Sequence, residues 1–266
     1  MDLLEIKQIK KHFGGICALD DISFSVKRNE IFGIVGPNGA GKTTIFNLAT
    51  GAYSISNGSI VFNGKIINRM RADQIIDLGV ARTFQNIRLF KKLNVVDNIK
   101  ATLYHSASYN IFDALIRTNK YRKIEKIIDE RARALLKEMQ LDKYSEMLSN
   151  NLPYGLQRKL EIARALALEP KLLLLDEPAA GMNPKEISEI INLIREVHSK
   201  FNLTTIIIEH HMSLINNLCS HIVVLNFGKK IAEGTADEIQ KDPNVIEAYL
   251  GHPTHLKKEV DTYVRN

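Results

Sequence analysis

Four stretches of this chain carry residue types that could act together on a phosphate ester. The first is Gly36-Pro37-Asn38-Gly39-Ala40-Gly41-Lys42-Thr43-Thr44, which follows an apolar run (Ile31, Phe32, Ile34, Val35). A glycine-rich turn between a strand and a helix can wrap its backbone N–H groups around phosphate oxygens, and the helix N-terminus adds a favourable dipole. Lys42 would supply a point charge for the outer phosphates, and the Thr43 hydroxyl can ligate Mg²⁺. An ordinary tight turn with a surface lysine shares this pattern, so its weight depends on what converges with it. The second stretch is Asp176-Glu177 at the end of four leucines, Leu172 to Leu175. A carboxylate delivered there suits Mg²⁺, directly or through water, because that ion takes oxygen ligands and keeps its waters. Glu177 is placed to polarise the water that attacks the γ-phosphate, as general base. Unpaired carboxylates are expensive beside a buried strand, so two adjacent acids there are rarely a structural accident. The third is His210, which could contact the γ-phosphate or hold the attacking water. A lone histidine is more often structural, and His210-His211 lacks the further ligands that a metal pair needs. The fourth, Gln85, is a neutral donor and acceptor that could sense Mg²⁺ and water; alone it would carry little.

Those residues need elements to bring them together. Residues 3–8 and 22–26 read as strands, the second alternating apolar and polar with period two. Phe13-Gly14-Gly15 lies between them, and Phe13 could stack on an adenine or equally be a core or turn aromatic. Residues 59–67, with Asn63-Gly64 between apolar pairs, predict a tight hairpin. Residues 79–85 read as a strand ending in Gln85. Residues 94–140 are helical in character, with Ile124, Ile127, Ile128, Leu135, Leu136 and Met139 at roughly helical spacing in a charged background, as for a helical insertion in the core or, more simply, two core helices. A helix over 155–168 is followed by unbroken apolar runs at 171–175, 204–208 and 222–225, the pattern of strands buried on both faces of a parallel sheet. Helical stretches at about 185–200 and 211–219 separate them, which gives β-α-β alternation. Ligands of such sheets bind at the carboxyl ends of the strands, where the glycine-rich turn, Asp176-Glu177 and His210 all fall.

Composition sets looser bounds. The 266 residues are enough for one large domain or a core with a subdomain. Hydrophobic residues at 45% and charged residues at 25% are ordinary for a globular protein. The net charge of +6 fits proximity to nucleotide or a membrane surface, but a solvated face explains it as well. Cys17 and Cys219 have no metal-ligand spacing, so reduced thiols are expected. No apolar run reaches the ~18 residues of a spanning helix, and Met1-Asp2-Leu3-Leu4-Glu5 does not resemble a signal peptide. Work at a membrane would require a partner there.

Taken together, the chain resembles the ATP-binding subunit of ABC transporters from Leu3 to about Leu250. The residues that carry this are Gly36–Thr44 (Walker A), Gln85 (Q-loop), Leu152-Pro-Tyr-Gly-Leu-Gln157 with Arg158 to Arg164 (signature), Leu172–Glu177 (Walker B), Ala180-Gly-Met-Asn183 (D-loop) and His210 (switch histidine). The resemblance implies an α/β fold: a P-loop NTPase core with a mainly parallel sheet, an N-terminal antiparallel β-subdomain and an inserted α-helical subdomain. It places the ATP-binding domain at 1–251, the helical subdomain at about 86–168 and a polar tail at 252–266. It implies ATP and Mg²⁺ as ligands, with Thr43, Gln85 and Asp176 toward the metal, Phe13 as the adenine-stacking aromatic and Glu177 as the base. Among such subunits the chain is similar to those of branched-chain amino-acid importers, through Phe13-Gly-Gly15, Ala81 to Phe90, Tyr154-Gly155, Leu160 to Arg164, Ala180 to Pro184 and Val245 to Gly251. Importers of urea and other amides, and a lipopolysaccharide-export ATPase, share many of these features.

The resemblance further implies that two such subunits close head-to-tail around two ATPs, each held between the Walker A of one and the signature of the other. Closure would pull on integral-membrane permease subunits at the cytoplasmic face of the cell membrane, served by a periplasmic or extracellular solute-binding protein. No nucleic-acid partner is expected, because ABC ATPases of that kind usually carry two cassettes or a long coiled-coil insertion. The signature departs from Leu-Ser-Gly-Gly-Gln: Pro153 stands at the serine, Tyr154 at the first glycine and Leu156 at the glutamine. The Gly155 N–H and the helix that follows remain a workable anion site, and proline suits a first helical turn. A weakened composite site is the expectation, and a different ATPase subunit could supply the better signature. Asn183 likewise replaces the usual D-loop aspartate.

Overall fold

In the computed structural model, residues 1–107 and 111–250 are described; the polar tail expected at 252–266 lies outside them. In chain order the strands are β1 (Asp2–Phe13), β2 (Ile16–Lys27), β3 (Ile31–Val35), β4 (Asn57–Phe62), β5 (Lys65–Ile66), β6 (Val80–Arg82), β7 (Leu172–Asp176), β8 (Thr204–Ile208), β9 (His221–Asn226) and β10 (Lys229–Gly234). The helices are α1 (Lys42–Ala49), α2 (Ala72–Asp77), α3 (Val95–Leu103), α4 (Ile111–Leu115), α5 (Asn119–Glu138), α6 (Tyr154–Leu166), α7 (Pro184–Phe201), α8 (Met212–Leu218), α9 (Ala236–Lys241) and α10 (Pro243–Leu250).

β1, β2, β4 and β5 make an antiparallel sheet in the order β2-β1-β4-β5. The larger sheet runs β10-β9-β3-β8-β7-β6, parallel from β9 to β6, with β10 antiparallel at one edge. Every residue of β3, β7 and β8 is buried, as their unbroken apolar runs require of strands covered on both faces. Alternate residues serve two cores. Ile31, Val35, Leu173, Leu175 and Ile207 pack with α3, α5, α6, α7 and α8 through Ile99, Leu136, Leu160, Ile194 and Leu214. Phe32, Ile34, Leu172, Leu174, Ile206 and Ile208 pack with the antiparallel sheet and α1 through Ile6, Phe24, Phe62 and Phe46. The parallel sheet is therefore the middle layer, and the strand period of two sends each strand's side chains to opposite cores.

Helix starts follow local chemistry. Asn183 caps α7 by accepting from Lys185 N at 3.0 Å and Glu186 N at 3.1 Å, while Glu186 accepts back from Asn183 N and Pro184 fills the first turn. Asn94 caps α3 by accepting from Asp97 N, and Thr118 caps α5 by accepting from Tyr121 N. Three details differ from the sequence reading. The first hairpin is longer than expected, and β10 follows β9 as an edge strand without a clear alternating signal. β6 ends at Arg82, three residues before Gln85. Beyond Thr83 the main chain of this edge segment bonds to side chains of α6 and leaves the ladder. Among the described residues, no helix is long and apolar enough to cross a membrane.

Candidate functional site

β3 runs directly into the glycine-rich turn, and packing explains two of its glycines. Gly36 has φ +149°, and a Cβ there would lie 2.1 Å from the Leu225 carbonyl oxygen. Gly41 has φ +103°, and a Cβ there would meet Leu19 Cδ2 at 2.6 Å and the Ala18 oxygen at 3.0 Å. The loop is thus clamped between β2 and the β9–β10 turn, where Gly228 N also donates to Ala40 O at 3.1 Å. Asn38 and Gly39 stay exposed, Pro37 is half-buried and Ala40 is buried. α1 starts from Gly41 with no side-chain cap and no acidic residue in its first turn, so its N–H groups and dipole are available to an anion.

Lys42 is only 6% exposed and folds back on the loop, donating from Nζ to Gly36 O at 2.7 Å and Pro37 O at 3.0 Å. Burial lowers its pKa, and the carboxylates of Glu177, Asp176 and Glu209 oppose that shift. Thr43 is exposed and Thr44 half-buried on the same first turn.

The acids sit where β7 ends, beside β3's neighbour β8. Asp176 is 3% exposed, and its Oδ2 accepts from Arg82 Nη2 at 2.6 Å. Arg82 also donates from Nη1 to Asn47 Oδ1 at 2.7 Å, which ties β6, β7 and α1 together. Glu177 has φ +46°, a left-handed conformation that a non-glycine residue adopts at a cost of about 1–3 kcal/mol. Its N–H donates to Ile208 O at 2.8 Å, locking it against β8. Its Oε2 accepts from Gln85 Nε2 at 2.8 Å and lies 3.9 Å from His210 Nδ1. Gln85 and Glu177 therefore bond directly, and His210 stands beside them with its Nδ1 nearer to Glu209 Oε1, at 3.3 Å. The exposed Thr43 hydroxyl and the Asp176 carboxylate are hard oxygen donors of the kind that Mg²⁺ takes. Gln85 is directed through its amide nitrogen to Glu177.

Glu209 escaped the sequence reading as a functional residue. It is fully buried, and its Oε1 accepts from the main-chain N–H of His210 at 3.2 Å and His211 at 3.4 Å, while Oε2 accepts from Ala179 N at 3.3 Å. It fixes the turn carrying His210 onto the turn after β7. Glu209, His210 and His211 bring potential metal-binding atoms within 4.8 Å of one another, but both Glu209 oxygens are already engaged with main-chain amides. Arg82 was also missed, since nothing in a single sequence pairs it with Asp176.

Three further residues named from the sequence sit on other elements. Phe13 ends β1 at the hairpin tip, 39% exposed, with its ring edge against Tyr53 at 5.2 Å between centroids and Lys11 Nζ 4.7 Å from its own centroid. Gly155 lies in the first turn of α6, where a Cβ would meet nothing within 4 Å. Pro153 is the residue before that helix, at φ −52° and ψ 150°, one position earlier than the helical turn expected of it.

Comparison with known proteins agrees with this fold. Residues 19–180 match the family model described as ABC transporter, and residues 229–255 match one described as branched-chain amino acid ATP-binding cassette transporter. The chain is 40% identical over 249 residues to the high-affinity branched-chain amino acid transport ATP-binding protein BraF of Pseudomonas aeruginosa, covering 94% of this chain and 98% of that one. It is 38% identical to LivG of Escherichia coli K12, a protein of the same description, with the same coverage. An ATP-binding cassette of an ABC transporter solved in its ADP conformation superposes with a TM-score of 0.82 at 31% identity, covering 95% of this chain and all of that one.

Proposed function

The chain belongs to the ATP-binding proteins of ABC transporters, a family of ATPases, and on that premise we propose that it powers uptake of branched-chain amino acids through a membrane permease. The observation that carries the reading is the meeting of Glu177, Gln85 and His210 beside the glycine-rich loop, at the ends of β7 and β8. The solute follows from the relatives' descriptions and from the match over residues 229–255.

In the proposed cycle the loop from Gly36 to Thr44 and the N-terminus of α1 bind the phosphates of ATP, and Phe13 stacks on the adenine. Lys42 exchanges its two loop carbonyls for phosphate oxygens; burial makes that exchange favourable, because a desolvated cation gains more from an anion. Thr43 and Asp176 would hold Mg²⁺, with Gln85 near it, and the ion would supply charge neutralisation at the β- and γ-phosphates. Glu177 takes the proton of the attacking water as general base, with His210 holding the water or the γ-phosphate. Arg82 keeps Asp176 oriented.

The cassette spans residues 1–251, with a helical subdomain at about 86–168 that docks on the permease. A second ATP-binding chain closes head-to-tail and presents its signature to this chain's ATP, while Gly155 and α6 serve the partner's. The assembly sits at the cytoplasmic face of the cell membrane and receives solute from a binding protein on the other side. Capture of the Glu177→Gln variant from membrane extract with ATP and Mg²⁺ tests this. Recovery of a polytopic permease and an ATP-binding partner supports the reading, and leucine uptake that fails without this chain supports the solute. Recovery of ribosomes or nucleic acid alone would overturn the transporter.

A further inference from the structure

We infer that Arg158 and Glu161 are positioning residues for hydrolysis: their buried pair fastens residues 84–88 to helix α6, so that the helix carrying Gly155 sets where Gln85 meets Glu177. This rests on the roles proposed for Glu177 and Gly155.

Arg158 is fully buried in the second turn of α6. Its Nη1 donates to Phe84 O at 2.8 Å and to Glu161 Oε2 at 2.7 Å, and its Nη2 donates to Gln85 O at 3.0 Å and to the Tyr154 hydroxyl at 3.3 Å. Glu161, 5% exposed, turns its other oxygen to the same segment and accepts from Phe84 N at 3.4 Å and Arg88 N at 3.3 Å. Arg164, six residues along α6 from Arg158, donates to Arg88 O. The main chain of 84–88 therefore takes its hydrogen bonds from one helix. Gln85 is the pivot: its carbonyl is held by Arg158, and its side-chain nitrogen donates to Glu177 Oε2 at 2.8 Å. Tyr154 closes the circuit, because its hydroxyl donates to Ala180 O at 2.9 Å, on the turn that follows Glu177.

Stability alone does not account for this arrangement. Buried ion pairs often give way to well-packed apolar residues at no cost, since desolvation offsets their attraction. α6 already has an apolar anchor in Leu160, Ile162, Ala163 and Leu166. What the pair adds is direction. The planar fork of arginine reaches Phe84 O, Glu161, Gln85 O and the Tyr154 hydroxyl from two nitrogens in fixed directions, four contacts where a lysine ammonium has three donors on one atom. The segment it holds has left the sheet and has no ladder to fix it. Burial pushes the Glu161 carboxyl up, and Arg158 is the main group holding it down, so the two act as a unit. A ligand docking at the N-terminus of α6 would move the 84–88 segment and with it the hydrogen-bond partner of the base.

The test begins with Arg158→Lys, which keeps a cation beside Glu161 and so protects folding, but gives up the fork. In the captured ATPase assembly, the turnover of Arg158→Lys should fall about tenfold while nucleotide affinity stays within about twofold of wild type. Gln85→Ala should lower turnover by itself, yet add less than about twofold in the Arg158→Lys background, because both act through one contact. Losses that multiply, or an Arg158→Lys variant within about twofold of wild-type turnover, would overturn the inference. A second readout avoids catalysis. In the full-length Arg158→Met/Glu161→Met variant, amide exchange over residues 84–88 should quicken about tenfold while β7 and β8 keep their protection; unchanged exchange would also overturn it. An inactive Glu177→Gln beside a fully active Arg158→Lys would sink this inference alone. A fully active Glu177→Gln would remove the role proposed for Glu177, and the link to hydrolysis with it.

Discussion

Two helix N-termini in this chain face in opposite directions energetically. α1, which begins at Lys42, and α6, which begins at Tyr154, both start without a side-chain cap. Around α1 the backbone is wedged: Gly36 and Gly41 lie against Leu225 and Leu19 with no room for a Cβ, and Lys42 is buried. Around α6 the first turn is open, with free space beside Gly155 and Tyr154 42% exposed. The α1 end is therefore finished within the chain, while the α6 end is left open, as the proposed head-to-tail partner would need. An anion site that a protein builds alone needs its backbone held by its own core. One that it lends to a partner can leave the space that the partner fills.

The largest expected effect lies on the finished side. Glu177→Gln keeps the side chain's size and its hydrogen bond to Gln85 but removes the proton acceptor. Turnover should fall at least ~10²-fold with ATP binding retained. Steady-state hydrolysis beside nucleotide titration checks it, and retained turnover would remove Glu177 from the role. Lys42→Ala should act on binding instead. Loss of a charge-assisted contact is worth about 1.5–3 kcal/mol, or about 10- to 150-fold in the nucleotide dissociation constant. Unchanged affinity would contradict the phosphate cradle.

The comparison itself is sharpened by one substitution made at both ends. Gly41→Ala places a methyl at φ +103° and 2.6 Å from Leu19 Cδ2, so loop and helix start must shift. A strain of about 1–3 kcal/mol should appear as a lower melting temperature and about tenfold weaker nucleotide binding. Gly155→Ala has a helical backbone and open space, so the isolated chain should keep its melting temperature and its nucleotide affinity. If both variants lost affinity alike, the two ends would not differ as their packing says.

The finished end is also the part that was legible in the sequence. The apolar runs into Gly36, Asp176 and Glu209 announce strands buried on both faces, and chemistry at strand ends follows from topology. Local sequence cannot announce a partner across the fold. Arg82 on Asp176, Glu209 on Ala179 and Arg158 on Phe84 are pairings between residues 30 to 94 positions apart, chosen by packing after the chain has folded. The end of β6 is hidden from local sequence for the same reason, since its continuation is captured by α6 side chains. From the sequence Phe13 is an adenine platform or a core or turn aromatic, and the ring it meets, Tyr53, lies forty residues on.

The smallest effect falls on the open end and asks what Pro153 withholds. Pro153 occupies the cap position of α6 with an extended ψ of 150°, the backbone a capping serine adopts, yet it offers no side-chain bond to the helix. Pro153→Ser adds a hydroxyl that can accept from an N–H of the first turn and donate to a phosphate held by the partner chain. The first contact should raise stability by about 1 kcal/mol. The second, worth about 0.5–1.5 kcal/mol, should raise turnover of the assembled pair roughly two- to tenfold without altering this chain's own nucleotide affinity. Pro153→Ala serves as the control, since it relaxes the backbone equally and supplies no hydroxyl. A gain confined to serine would show that the site built on α6 is limited by a missing donor. An equal gain in both would trace the limit to proline's stiffness, and no gain in either would mean that Gly155 and the helix dipole already do what the partner's phosphate requires.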